Sequence, residues 1–345
     1  MARFSFEVCQ ANQVDDLVAY IDSHWVKNHI LVTSRTLLDW QHKNKQGDYN
    51  FVMARDNRTN EVCGVLGFIP TSHYSSALDV HKEAWLAIWK VNEGPRYIGL
   101  GLGLLNYLKR EFSITTICSI GISQIVFPMY QALGFEVGKL NQMALINTTR
   151  NDQVLTEFPK NFQTEPQESD SVWELKDISD DDILSVIDHD YLYSNHTVKN
   201  KEYFLNRFIK HPKFKYRFLA IYNSGTIKAF LVIRVVEHNT ATAVKVVDIQ
   251  GDLSSISHVS GLLYDFIVKE QHEYIDIMQY GMNEVALIDA GFVRVGDNEE
   301  VIVPEYYQPF VKKNISICFA RKTDSMNDEF VLFKGDADQD RPNVM

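Results

Sequence analysis

Cysteine is scarce in this chain: four among 345 residues, at Cys9, Cys63, Cys118 and Cys318, with no CxxC pair. That spacing argues against structural zinc or any metal, and four scattered thiols do not staple a chain this long. They read as reduced thiols used as small core residues, which points to the cytoplasm. Positive charge is also in deficit. Lys and Arg number 34 against 45 Asp and Glu, for a formal net charge of -11. A duplex nucleic-acid partner would call for a basic stripe, so none is expected. No apolar run approaches the ~20 residues of a membrane span. The opening MARFSFEVCQANQVDD lacks the apolar segment of a secretory signal, so no membrane partner is expected either. Small anionic ligands stay open, because backbone amides at helix N-termini hold phosphates without net positive charge.

What is present is a core-forming composition, 45% hydrophobic and 23% charged. The length fits two domains of about 150–170 residues. Apolar residues at helical spacing predict helices over Val14–Trp25 and Arg35–His42. Strand-like runs follow at 51–54 and 62–69, joined by a turn-prone Asp56–Asn60, then at 85–91. A Gly-rich turn, a helix over 102–112, a strand over 115–120 and a short helix over 127–133 ending at Gly134 complete the half. The segment 151–171 is polar, carries two prolines and has no period, so it reads as a linker. Residues 324–345, rich in Asp and Asn, read as a loose tail.

The second half repeats the first. Ala243–Ile249 followed by Gly251 parallels Ala87–Asn92 followed by Gly94. Gly261-Leu262-Leu263 parallels Gly103-Leu104-Leu105, and Ala286–Phe292 parallels Met129–Phe135. The offset stays at about 157–160. An ordered series at nearly constant offset marks a duplication, which divides the chain into 1–150 and 172–323.

The chemistry concentrates in Arg96-Tyr97-Ile98-Gly99-Leu100-Gly101-Leu102-Gly103-Leu104-Leu105, which follows a strand and opens a helix. Glycines at alternate positions let backbone approach a ligand, and the helix N-terminus favours a pyrophosphate. Close helix-on-strand packing would need the same glycines. A Rossmann site would want an acid about 20 residues on, and a Walker loop Gly-Lys-Ser/Thr; neither is present. One strand later comes Phe127-Pro128-Met129-Tyr130-Gln131-Ala132-Leu133-Gly134-Phe135.

The spacings Arg-x-x-Gly-x-Gly-x-x-Leu-Leu and Tyr-x-x-x-Gly-Phe, in that order, resemble the two signature motifs of the GNAT superfamily of acyl-CoA N-acyltransferases. The resemblance covers about Val14–Ile146, and the second half by architecture only. It implies an α/β (α+β) fold of two GNAT-like domains, each a mixed, mainly antiparallel twisted sheet flanked by helices. It also implies acyl-CoA as cosubstrate. Amides of Arg96, Gly99, Leu100, Gly101, Leu102 and Gly103 would hold the pyrophosphate. The strand bearing Leu86, Ile88 and Val91 would bond the pantetheine arm like an added strand. Tyr130 takes the place of the family's general acid for the departing thiolate, against a bland reading as a buried helix tyrosine. Ser123 stands where an Asn contacting the CoA arm is usual.

For the base, Glu83 shares a strand face with Trp85 and Ala87. Asp79, His73, His81 and water are rivals, and Glu83 reads equally well as a solvated strand end. The second half lacks the Gly-x-Gly cradle and has Leu287 in the place of Tyr130, so its polar outliers are candidates for acceptor binding. These are Asp248 inside an apolar strand, Tyr203, Arg207, His211 and Tyr222, with Trp40, His42, His73 and Trp85 from the first half. Asp248 reads equally well as paired with Lys245 or Arg234, and Trp40 as core. Length, the Trp40-Gln41-His42 stretch and the strand around Asp248 look most like tandem-GNAT N-acyltransferases of nucleotide-linked amino sugars. That likeness implies a 3-hydroxybutanoyl or acetyl group moved to a dTDP-linked amino sugar for surface polysaccharide (O-antigen or capsule), and leaves room for a homodimer. Alternatives are another tandem-GNAT acyl or aminoacyl transferase, and a non-catalytic acyl-CoA-binding sensor.

Overall fold

The computed structural model describes residues 2–187, 199–324 and 330–344. In chain order the first half runs β1 (Phe4–Cys9), α1 (Val14–His24), α2 (Ile30–Thr33), α3 (Arg35–His42), β2 (Tyr49–Asp56), β3 (Val62–Pro70) and β4 (Glu83–Val91). It continues with α4 (Leu100–Phe112), β5 (Thr116–Ile122), α5 (Phe127–Ala132), β6 (Glu136–Lys139) and β7 (Asn141–Ile146). The second half begins with β8 (Trp173–Ile178), α6 (Asp180–Val186), α7 (Lys201–Phe204), β9 (Arg217–Asn223), β10 (Thr226–His238) and β11 (Ala241–Gly251). Then follow α8 (Ser255–His258), α9 (Ser260–Lys269), β12 (Tyr274–Tyr280), α10 (Glu284–Asp289), β13 (Val293–Arg294), β14 (Tyr306–Tyr307), β15 (Phe310–Val311), β16 (Cys318–Thr323) and β17 (Leu332–Phe333).

Local chemistry accounts for the elements that frame the site. Ser34 caps α3 by accepting from the Leu37 amide at 3.3 Å, and Leu37 and Leu38 bury the apolar stripe of that helix. All eight residues of β2 are buried because the strand is covered on both faces. Phe51 and Met53 pack with α1 and α3, while Val52 and Ala54 pack with α4. A strand covered twice reads as a continuous apolar run rather than an alternation.

Two sheets result. One has the order β1-β2-β3-β4-β5-β16-β6 and the other β13-β7-β12-β11-β10-β9-β8. Each is mainly antiparallel, with a parallel pair at its centre, β4 beside β5 and β11 beside β12. The sheets exchange a strand. β16, near the C-terminus, inserts between β5 and β6 of the first sheet, and β7 inserts between β12 and β13 of the second. The boundary expected at 150 is therefore displaced, since β7 lies in the second sheet and β16 returns to the first.

The duplication reaches into irregular geometry. Between Leu66↔Trp89 and Phe68↔Leu86, two steps along β3 face three along β4, a bulge at Ala87–Ile88. Between Val232↔Asp248 and Ile233↔Val246 the second sheet carries the same irregularity, at Val247 of β11. Two bulges in matching strands are a stronger mark of common descent than sequence anchors.

The C-terminal segment is not a loose tail. Phe330, Leu332, Phe333, Lys334, Asp336, Asp338, Asp340 and Arg341 are buried. β17 pairs with Gln279 and Tyr280 of β12. Arg207 and Tyr216 hold Asp340 at 2.7 and 2.5 Å, and the Ile30 amide donates to the Asn343 carbonyl at 2.7 Å. Charged residues are buried here because each finds a partner on a distant element. The linker is likewise seated in part. A Cβ on Gly261 would lie 2.5 Å from the Gln167 carbonyl oxygen, so that glycine serves close packing of 164–168 rather than a ligand.

Candidate functional site

In the first sheet the parallel pairing of β4 with β5 runs from Glu83↔Thr116 to Leu86↔Ser119 and stops there. Beyond that vertex β4 continues to Val91 and β5 to Ile122, so the two strands splay. The bulge at Ala87–Ile88 lies just past the vertex and re-aims the β4 backbone. A cavity of about 870 Å³ occupies the wedge, lined by Leu86 to Trp89 and Val91 on one wall and Ser119 to Ser123 on the other. This is within the ~300–1,000 Å³ usual for small-molecule sites.

At the mouth lies the glycine turn. Gly94, Tyr97, Ile98, Gly99, Gly101 and Leu102 line it. Gly99 caps α4 with φ 83°, a left-handed conformation that glycine adopts freely, and a Cβ there would meet nothing within 4 Å. The first-turn amides of Leu100, Gly101 and Leu102 have no intrahelical partner by geometry, and the dipole of a 13-residue helix adds to their pull on an anion. Backbone, helix dipole and open space thus fit a pyrophosphate.

Tyr130, on α5, reaches the vertex. It is buried, packs edge-on against Trp89 and Phe135 with ring centroids 5.8 and 5.1 Å away, and lines the cavity. Burial pushes its phenol up to about 12, with the Ser119 hydroxyl bond opposing the shift. It therefore remains a proton donor at neutral pH. Ser119 also donates to the Leu86 carbonyl at 3.5 Å, tying both strands together where they part.

The far wall comes from the C-terminal segment, β14 and the connection of α1 to α2. Asp338, Gln339, Asn343, Tyr306, Trp25 and His29 face the same cavity. Gln339 lies over Gly121, where a Cβ would stand 2.5 Å from its amide oxygen. Asp338 receives Arg341 at 2.7 Å and Gln41 at 3.1 Å, and the Arg341 charge holds its carboxyl below the usual range despite burial. Burial also lowers His29 to about 4, so this imidazole is neutral at pH 7.

Among the expected residues, Leu86, Ile88, Val91, Gly99, Gly101, Leu102, Ser123 and Tyr130 line the cavity, and Arg96, Leu100 and Gly103 do not. The exposed Arg96 guanidinium lies 4.6 Å over Tyr97. Leu100 is core, and Gly103 makes room for the Phe6 ring. Glu83 is off the cavity and accepts the Trp85 indole N–H at 3.0 Å.

The acceptor candidates are elsewhere too. Trp40 donates to the Asn206 carbonyl at 3.1 Å and packs on His211, joining the halves. His42 is fully buried against Phe51, and His73 lies 2.7 Å from the Trp40 carbonyl. Tyr222, on β9, is covered by Lys176 at 4.9 Å. Asp248 is paired, with Lys199 at 2.6 Å rather than with Lys245 or Arg234. Lys245 is engaged by Asp276 and Glu305. Tyr203, Arg207 and His211 are buried.

Sequence reasoning missed Ser119, His29, Asp338, Gln339 and Asn343. The strand pattern carried a signal for Ser119, a polar residue inside an apolar run. For the C-terminal residues no local pattern exists.

No protein-family model matches the chain, and no curated protein matches it. Solved structures do. A GCN5-related N-acetyltransferase from Anabaena variabilis ATCC 29413 aligns with TM-score 0.52 at 11% identity, over 92% of this chain and 72% of that one. Saccharomyces cerevisiae N-myristoyltransferase with bound myristoyl-CoA aligns with TM-score 0.49 at 10% identity, over 93% and 83%. The fold is that of the GCN5-related N-acetyltransferases, and it spans both halves of the chain.

Proposed function

We propose that this chain is an acyl-CoA-dependent N-acyltransferase with one donor site, in the first half. The observation that carries the reading is the open wedge. Splayed strands, a bulge, a glycine-capped helix start and a protonated Tyr130 all face one cavity. The amides opening α4 would hold the pyrophosphate, and the β5-facing edge of β4 past the vertex would bond the pantetheine arm as an added strand does. The acceptor nitrogen attacks the thioester carbon, the C–S bond breaks, and Tyr130 gives its proton to the leaving sulfur. The nitrogen's surplus protons pass to water and back to Tyr130.

A single donor site follows from what fills the second wedge. There β11 and β12 pair through Val246↔Ile277 and then part, as in the first half. β17 occupies the gap against β12, and Gly335 closes on the β11 bulge. With Leu287 in the place of Tyr130, neither space nor acid is left there among the described residues.

The finer expectation, a 3-hydroxybutanoyl or acetyl group moved to a dTDP-linked amino sugar in the cytoplasm, rests on sequence resemblance. None of the acceptor residues expected for it lines the cavity. It becomes one arm of the test. The protein is incubated with acetyl-, 3-hydroxybutanoyl- and longer acyl-CoA and a panel of amines that includes dTDP- and UDP-amino sugars, following thiol release. Tyr130→Phe is expected to lower turnover about 100-fold while CoA affinity holds. CoA binding without thiol release for any acceptor would identify a sensor instead.

A further inference from the structure

We propose that Asp338 receives the ammonium group of the acceptor, which is therefore a cationic primary amine held against the C-terminal segment. The inference rests on the acyltransferase reading and deepens it. Among the described residues that line the donor cavity, Asp338 is the one carboxylate, and no Lys or Arg joins it. An ammonium taken out of water needs a counter-charge, and no other acidic group of the described wall supplies one. The same wall gives an acidic substituent of the acceptor no cationic side chain to pair with, so any such substituent stays outside the donor cavity.

The carboxylate is held in place rather than loose. Its Oδ2 takes both Gln41 at 3.1 Å and Arg341 at 2.7 Å. Its Oδ1 accepts the Gln339 amide at 3.2 Å and keeps a lone-pair site for a further donor. Arg341 is fixed in turn by Gln41 at 3.0 Å. Gln339, the next residue, crosses β5 at Gly121, two positions from Ser119 at the vertex. The segment thus brings Asp338 into the same cavity that Tyr130 lines. A carboxylate whose own affinity for protons is depressed by Arg341 suits this task. It stays charged, binds the ammonium and does not keep the proton that the nitrogen gives to water before attack.

The test compares two nucleophiles of similar shape, butylamine (cationic at pH 7) and O-propylhydroxylamine (neutral). With Asp338→Asn, kcat/KM for butylamine is expected to fall about 30-fold or more, while the neutral nucleophile and acetyl-CoA affinity are little changed. Asp338→Glu, which keeps the charge, restores the preference for the cation. Equal loss for both nucleophiles would overturn the proposal, because a structural defect does not discriminate charge. An arm without turnover uses CoA-loaded protein and the fluorescence of Trp25 and Trp89 in the cavity wall. Butylammonium is expected to bind in preference to 1-butanol, and Asp338→Asn to abolish that preference. Wild type without the preference sinks the ammonium site. Wild type with it, but releasing no thiol from any acyl-CoA, sinks the acyltransferase reading alone.

Discussion

A Cβ built on Gly335 would stand 2.5 Å from the carbonyl oxygen of Val247, the bulged residue of β11. The matching bulge of β4, at Ala87–Ile88, faces the open cavity instead. One duplicated irregularity is thus plugged by the chain's own C-terminal segment, and the other is left for a ligand.

Filling that contact should unseat the plug. Gly335→Val is expected to cost about 1–3 kcal/mol, as overpacking does, read as a lowered urea midpoint. An unchanged midpoint would mean that the segment is not pressed against the bulge.

The glycines of the turn separate into two kinds. Gly99→Val places a β-branched side chain at φ 83° and in the space facing the ligand, so CoA affinity should drop at least about tenfold. Gly103→Ala meets the Phe6 ring and should lower the melting temperature with CoA affinity retained in the folded fraction. Isothermal titration and thermal melts, run on both variants, distinguish the outcomes. The reverse pattern would move the cradle off Gly99.

Lys199 is buried between Asp248 and Asp336, at 2.6 and 2.5 Å. One ammonium serves two carboxylates, so burial and the neighbouring Asp336 raise Asp248 to about 6. Lys199→Met leaves both acids uncompensated and should cost about 3–5 kcal/mol. Asp248→Asn removes the surplus acid and should be close to neutral. Denaturant titration at pH 7 reads both, and equal costs would contradict the charge imbalance.

Acid should destabilise the fold early. Burial lowers His29 to about 4 and His42 and His211 to about 3, against about 6.5 unfolded. Between those values only the unfolded chain takes up these protons. Stability is therefore full above about pH 6.5 and falls as pH drops through it, by up to ~1.4 kcal/mol per pH unit for each histidine. Asp248, raised to about 6, works in the opposite sense with a single proton. Urea midpoints at pH 7, 6 and 5 should decline steadily, and His42→Gln should flatten the decline. A midpoint constant to pH 5 would contradict buried neutral imidazoles.

Much of the donor end was legible in the sequence because its determinants are local. The glycine cap of α4, the apolar run of β4 and the Tyr130–Gly134 turn are set by neighbours within a few residues. The duplication was legible too, since the same local rules apply twice. The acceptor end was not. Trp40, His42 and Asp248 stood out as polar or aromatic residues in apolar runs, yet each is explained by a partner far off in the sequence or on another element: Asn206, Phe51 and Lys199.

The sequence by itself determined the elements of each half, their repeat and the position of the glycine turn, because backbone conformation and hydrophobic period are short-range properties. Only the tertiary structure decided which strand completes which sheet, which wedge stays open and what walls it. Those outcomes depend on pairings across more than half the chain's length, such as Cys118 with Arg321 and Gln41 with Asp338. An Asp-rich tail read in isolation is solvated. Once Arg207, Lys199 and Gln41 are brought to it, the same carboxylates are buried, and one of them enters the cavity.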